Sequence, residues 1–156
     1  MSGAARILVV DDVRENVRLL EAVLDAHGYE VVSATDGQAA LELAVSAKPD
    51  LVLLDVLMPQ PDGYAVCRRL REQEETAVLP VIMLTASEGS EKTKAIEAGA
   101  DDFIPKPFNR DELLTRIRSL IRIKRYHDTI EAQAAELVDL NRTLEEREAR
   151  RNRVDS

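Results

Sequence analysis

One cysteine, Cys67, is all the chain has, so no disulfide can form within it. A single thiol fits a reducing compartment. Cys67 falls in an expected helix from Tyr64 to Gln73 and reads as packing, not as a reactive group. No apolar run approaches the roughly 18 residues that cross a bilayer. Met1-Ser2-Gly3-Ala4-Ala5-Arg6 contains no hydrophobic secretion signal. A cytoplasmic protein without membrane contact is expected. A basic excess is also missing, because the net charge is −8. Before Arg122 there are 13 basic and 21 acidic side chains; from Arg122 onward there are 8 of each. The acidic part is therefore not expected to bind nucleic acid directly. There is no internal repeat, no low-complexity segment, and no glycine or proline after Pro107.

What is present begins with a hydrophobic content of 45%, enough to build a core. Leu51-Val52-Leu53-Leu54 runs unbroken into Asp55, between Pro49 and Pro59. A short apolar run between turn signals reads as a buried strand of a parallel sheet, and the two prolines leave no room for a helix. Asp55 then sits at the carboxyl end of that strand, where open α/β sheets place their ligands. Taken alone, an aspartate there can equally begin a turn.

In chain order, Arg6–Val10 reads as the first strand, ending in Asp11-Asp12. Val13–His27 carries a helical stripe at Val17, Leu20 and Leu24, with Gly28 as its stop. Glu30–Ala34 reads as a strand, and Asp36 as the cap of a helix over Gly37–Ala47. After the central strand, Gln60-Pro61-Asp62-Gly63 is a turn whose Asp62 can cap the next helix. Leu79–Leu84 reads as a strand ending at Thr85. Glu88-Gly89-Ser90 reads as a loop, with Ser90 capping a helix that ends at Ala98-Gly99. Asp102–Pro105 is a short fifth strand. Asn109-Arg110-Asp111-Glu112 resembles a capping box before a helix that buries Leu113, Ile117, Leu120 and Ile121. Five alternations of strand and helix imply an α/β fold, a doubly wound five-stranded parallel sheet covered on both faces. The order is expected to be 2-1-3-4-5, flavodoxin-like, with an extended C-terminal helix.

That helix has no stop. Ile123, Ile130, Leu137 and Leu144 fall at heptad position a, and Tyr126, Gln133, Leu140 and Arg147 at d. Branched residues at a with Leu at d suit a parallel two-stranded coil, although two d positions are polar. A solvated extension is the alternative. The expected division is residues 1–122 as a globular domain and 123–156 as a coiled-coil-like extension or linker.

The order 2-1-3-4-5 brings the first and third strands together, so Asp11, Asp12 and Asp55 converge. Three crowded acids repel one another unless a cation sits among them, and an all-oxygen set suits Mg²⁺. For Asp12 a capping box with Glu15 is the alternative; for Asp11 no structural role is apparent. Thr85 and Lys106 end the fourth and fifth strands beside this cluster. A hydroxyl and an ammonium facing carboxylates suit phosphoryl transfer, which needs positioning and charge neutralisation. In this reading Asp55 is the nucleophile, Lys106 neutralises phosphoryl oxygens, and Thr85 donates a hydrogen bond to the arriving phosphate.

These residues resemble the receiver domain of bacterial two-component response regulators over roughly Arg6 to Arg122. The resemblance rests on Asp11-Asp12, Asp55 with Met58-Pro59, Pro61-Asp62-Gly63, Thr85-Ala86, Gly99-Ala100-Asp101-Asp102-Phe103 and Lys106-Pro107-Phe108. It implies phosphoryl transfer to Asp55 from a sensor histidine kinase or a phosphotransfer protein. It also implies Mg²⁺ held by Asp12, Asp55 and the Leu57 carbonyl, with Asp11 acting through water. Phe103 is implied to be a rotating switch residue coupled to Thr85, and the Lys106–Pro107 bond to be cis. Leu57 and Ser87 occupy the positions that influence phosphoryl lifetime in that family. Self-catalysed transfer to Asp55 is then the only chemistry expected of the chain. A haloacid-dehalogenase-type phosphatase also uses a strand-end aspartate with Mg²⁺, but it expects a second acid where Leu57 stands. The tail resembles helical linkers that join receivers to outputs, so a homodimer is expected, or a receiver fragment of a longer cyclase or hybrid kinase protein.

Overall fold

Strand positions in this chain are set by apolar runs too short for helices and by the carboxyl-terminal polar residue that ends each one. The computed structural model describes residues 4–86 and 90–155. Ser87 and the loop expected at Glu88-Gly89 lie outside the described residues, as do Met1-Ser2-Gly3 and the cap expected of the Ser90 side chain. The strands are β1 (Arg6–Val10), β2 (Glu30–Ala34), β3 (Leu51–Asp55), β4 (Val81–Thr85) and β5 (Asp102–Pro105). The helices are α1 (Arg14–Ala26), α2 (Gly37–Ser46), α3 (Gly63–Glu72), α4 (Ser90–Glu97) and α5 (Arg110–Asp155). A 3-10 turn at Glu74–Thr76, absent from the sequence reading, precedes β4. Leu79 and Pro80 belong to that connection, so β4 starts two residues later than expected. The sheet is parallel throughout, in the order β2-β1-β3-β4-β5, as expected.

Side chains alternate across a strand, so β1, β3 and β4 feed two cores. Leu8, Val10, Val52, Leu54, Val81 and Met83 pack with α2, α3 and residues Ala95 and Ala98. Ile7, Val9, Leu51, Leu53, Ile82 and Leu84 pack with α1 and with Leu113, Leu114, Ile117 and Ile121 of α5. Every residue of β3 and β4 is buried, the pattern of strands covered on both faces. Fully burying side chains of this size contributes about 2 kcal/mol each. Leu51, Leu53, Leu54, Ile82, Met83 and Leu84 therefore dominate what holds the sheet together.

The local stops act as their chemistry requires. Gly28 follows α1 at φ +83°, a conformation that side chains resist. Asp36 accepts from Ala39 N–H at 2.8 Å and Asp62 from Ala65 N–H at 2.9 Å, so both cap their helices. Asn109 accepts from Glu112 N–H at 3.0 Å. Among the described residues the reciprocal half of the expected capping box is not formed; Glu112 Oε1 accepts from Arg116.

Arg71 reads in sequence as one more charge of a basic helix face. In the structure it joins three segments: α3, the connection before β4 and the connection before β5. Its guanidinium donates to Gly99 O at 2.8 Å, to Leu79 O at 2.5 Å and to Asp101 Oδ2 at 2.8 Å. Asp101 Oδ2 also accepts from Val81 N–H at 2.8 Å, at the entry to β4. Arg71→Ala leaves these acceptors without their donor and is expected to cost about 3 kcal/mol. Thermal denaturation checks this; a melting temperature equal to wild type contradicts it.

The chain divides into two compact units, Met1–Lys124 and Arg125–Ser156. In the second, Ile130, Leu137, Val138, Leu140 and Leu144 are exposed. No helix among the described residues is long and apolar enough to cross a membrane.

Candidate functional site

The sheet order sets the carboxyl ends of β1 and β3 side by side, with those of β4 and β5 next in line. Asp55 is the last residue of β3, and Asp11 follows β1 directly. Parallel pairing of Val10 with Leu54 sets these two aspartates side by side. Carboxylate oxygens of Asp11, Asp12 and Asp55 all lie within 4.8 Å of one another. Asp11 and Asp55 are buried, whereas Asp12 is exposed. Lys106, the residue after β5, places Nζ 3.0 Å from Asp55 Oδ1 and 3.7 Å from Asp11 Oδ2. The first contact is a hydrogen bond; the second is electrostatic only.

Burial pushes the Asp55 carboxyl above its ordinary pKa, the Lys106 hydrogen bond opposes that rise, and the neighbouring Asp11 charge adds to it. Leu57 N–H also donates to Asp55 Oδ1, at 3.3 Å. The Leu57 side chain is exposed. Asp55 thus holds one oxygen tied to Lys106 and Leu57.

Asp11 has the structural role that the sequence reading did not find. Its Oδ1 accepts from Val13 N–H at 2.9 Å, an aspartate side chain closing its own turn into α1. Its Oδ2 is buried without a hydrogen-bond partner. The capping box considered for Asp12 with Glu15 is not formed. Val13 is the cap residue of α1 and makes no side-chain cap bond, which leaves the Asp12 carboxylate to the acidic cluster. The donor set tests well for a hard divalent cation such as Mg²⁺. Its donors are oxygens, they converge, and Asp11 Oδ2 is an orphaned buried acceptor.

Thr85 is buried at the last position of β4, one residue beyond Leu84, the register partner of Asp55. Lys106 N–H donates to Thr85 O at 2.7 Å, which ties the two strand ends together. Phe103 is not at the site end of β5; it pairs with Met83 near the strand's start. It is half-buried against the core beneath α3 and α4, and Lys92 Nζ stands 5.6 Å from its ring centroid. Thr85 and Phe103 share a sheet face, because Met83 lies two residues before the one and opposite the other. The Lys106–Pro107 peptide is cis, and so is Gln60–Pro61. Cys67 is fully buried, its thiol pushed up to about 11 by burial, in keeping with packing.

Two features of the site escaped the sequence. Gly63 opens α3 directly against β3: a Cβ there meets Asp55 O at 2.5 Å and Val56 Cα at 2.8 Å. A cleft of about 340 Å³ lies beside the acidic cluster, with Asp11 and Lys106 in its lining together with Asn16, Leu19, Phe108 and Arg110. Leu19 is exposed on α1. An unexplained Leu outside the helical stripe was the one available signal for this cleft.

Comparison with known proteins adds the family. The profile described as response regulator receiver domain matches residues 7–118. The response regulator PleD of Caulobacter vibrioides is 47% identical over 133 residues, which cover 85% of this chain but 29% of PleD. The chain thus spans less than a third of that relative. A crystal structure of a putative response regulator from Chloroflexus aurantiacus is similar at TM-score 0.74 and 40% identity, covering 76% of this chain and 98% of that one. The receiver domain of a sensor histidine kinase from Pseudomonas aeruginosa is similar at TM-score 0.71 and 34% identity, over 76% of this chain and 98% of that one. That structure is described with a magnesium ion coordinated in its active-site cleft.

Proposed function

Because the chain belongs to the response regulator receiver domain family, we propose that residues 1–122 act as a phospho-acceptor switch in which Asp55 takes a phosphoryl group. The observation that carries this is the Lys106 ammonium 3.0 Å from a buried Asp55 within a cluster of three carboxylates. A carboxylate at a strand end with one oxygen engaged by Lys106 and Leu57 keeps the other for in-line attack on phosphorus. Lys106 then balances charge on the phosphoryl oxygens, and the Thr85 hydroxyl donates to one of them. Asp12 and Asp55, with the Leu57 carbonyl, are proposed to hold Mg²⁺ directly, and Asp11 through water. When bound, the ion supplies positive charge that relieves carboxylate repulsion and neutralises the incoming group.

The donor is proposed to be a phosphohistidine of a sensor histidine kinase or phosphotransfer protein. The cleft lined by Asn16, Leu19 and Phe108 opens beside Asp11 and Lys106, which gives such a partner an apolar footing next to the site. Phosphate drawing Thr85 inward would let Phe103 pack more deeply on the same sheet face. Phe103 has no hydroxyl to leave unsatisfied there, so burial costs no polar partner. The Arg125–Ser156 unit, with its exposed stripe of Ile130, Leu137, Leu140 and Leu144, is proposed to join two copies of the chain and to pass the state of Asp55 to an output. In a longer protein that output is proposed to be a cyclase or kinase domain.

Asp12→Ala tests the metal part. Asp12 is exposed and caps nothing, so the variant is expected to fold while losing both Mg²⁺ binding and phosphorylation by acetyl phosphate. Isothermal titration and intact-mass measurement read the two effects. Full phosphorylation of this variant contradicts the assignment.

A further inference from the structure

The heptad pattern of the second unit contains polar layers, and the chemistry of those layers distinguishes between ways of pairing two copies. With Ile130, Leu137 and Leu144 at position a and Tyr126 and Leu140 at d, Gln133 and Arg147 also fall at d. Resting on the dimer proposed above, we infer that Gln133, together with Arg147 and Glu148, makes the paired tail parallel and in register.

Branched residues at a with Leu at d suit two strands, but burying the apolar stripe does not by itself choose their direction. In a parallel coil each layer meets its own copy. In an antiparallel coil of the same seam, Tyr126 meets Leu144, Ile130 meets Leu140 and Gln133 meets Leu137. Both arrangements match apolar with apolar, except at Gln133 and at Arg147, which meets Ile123 in the antiparallel coil and its own copy in the parallel one. A side-chain amide carries donors and an acceptor, so two Gln133 side chains in one layer satisfy each other. Opposite Leu137 each amide loses water and gains no partner, and this happens twice per dimer.

The charges agree. Position d packs beside position e of the other copy, which places Arg147 next to Glu148 of the second chain. Neither residue forms an ion pair within its own chain among the described residues, and neighbours in sequence diverge around a helix. By contrast Arg142 and Asp139, on the outer face, are already paired with each other. From Arg122 onward the basic and acidic side chains number 8 each, so two tails meet without net repulsion. Arg147 and Glu148 border the seam, where a second copy of this chain supplies their complement.

A spin label on Glu146→Cys in the full chain reads the arrangement. Cys67 does not compete for the label, because it is fully buried. A parallel pair gives a single short distance, under about 25 Å for two helices of about 10 Å width. The antiparallel seam separates the two labels by about 33 Å along the axis, at 1.5 Å per residue. Gln133→Leu is expected to tighten the dimer by about tenfold while splitting the distances into both populations. Arg147→Glu is expected to weaken the dimer, and adding Glu148→Arg to restore it. A long distance in the otherwise unaltered chain overturns the parallel assignment and leaves the dimer standing. A Gln133→Leu dimer with one unchanged short distance overturns the role of Gln133. A labelled chain that stays monomeric overturns the dimer itself, and with it this inference.

Discussion

Asp55→Asn is expected to leave the chain unable to take up a phosphoryl group and, in metal-free buffer at neutral pH, to melt above the unsubstituted protein. The first effect follows from the nucleophile. An amide oxygen at the same place carries no charge with which to attack phosphorus, so uptake falls below detection. The second follows from burial. The Asp55 carboxyl is pushed above its ordinary pKa because desolvation and the Asp11 charge together outweigh the help from Lys106. A folded-state pKa above the unfolded one means that the folded chain binds the proton more tightly. The stability linked to that proton is present at low pH and is lost as pH rises through the folded value. At neutral pH the ionised Asp55 therefore costs stability. Asparagine keeps an oxygen for Lys106 and Leu57 N–H while removing the charge. The gap in melting temperature should close on acidification, since protonated aspartate and asparagine are alike in charge. Added Mg²⁺ should raise the unsubstituted chain more than the variant. A variant that melts lower at neutral pH without metal contradicts the electrostatic account.

Gly63→Ala is expected to be the most disruptive alanine substitution among the described glycines. The added Cβ comes within 2.5 Å of Asp55 O and 2.8 Å of Val56 Cα, both backbone atoms of the β3 terminus. A flexible side chain could step aside; backbone held by Gly63 N–H at Val56 O and by Val56 N–H at Leu84 O cannot do so cheaply. Either α3 lifts off the sheet, uncovering Val66, Cys67 and Leu70, or the strand end carrying Asp55 moves. Overpacking of this kind costs about 3 kcal/mol, which lowers the melting temperature by roughly 10 °C. Phosphorylation should slow even where the variant folds, because the displaced atoms belong to the nucleophile's own residue. Gly28→Ala is the control. A methyl there meets nothing within 4 Å, so its cost is confined to the positive φ, about 1 kcal/mol. Equal melting temperatures for the two variants would contradict the close-approach argument.

Much of this is legible in the sequence because the signals are local. Apolar runs in β1, β3 and β4 are buried on both faces, so they stand out from amphipathic helices without any long-range information. Asp36, Asp62 and Asn109 cap helices through their own following residues, and sequence spacing alone reports such bonds. The convergence of Asp11, Asp12 and Asp55 needed only the strand order. What escaped depends on distant partners. Arg71 looks like its neighbours Arg68 and Arg69, and nothing nearby in sequence tells that Leu79, Gly99 and Asp101 await it. Gly63 reads as an ordinary turn glycine, since its reason is a strand eight residues back. The turn-closing bond of Asp11 was hidden by its neighbour. With two adjacent aspartates before a helix, the second seemed the natural cap, yet the first closes the turn while Val13 takes the cap position.

The central claim is that Asp55 accepts the phosphoryl group, and site mapping after phosphorylation tests it most directly. The full chain is incubated with acetyl phosphate and Mg²⁺, and the modified residue is located by mass spectrometry of its peptides. The expected result is one phosphoryl group per chain, on Asp55, labile to hydroxylamine as an acyl phosphate must be, and dependent on Mg²⁺. Phosphate found on a serine, threonine or histidine instead, or a folded chain that takes up none, would contradict the account.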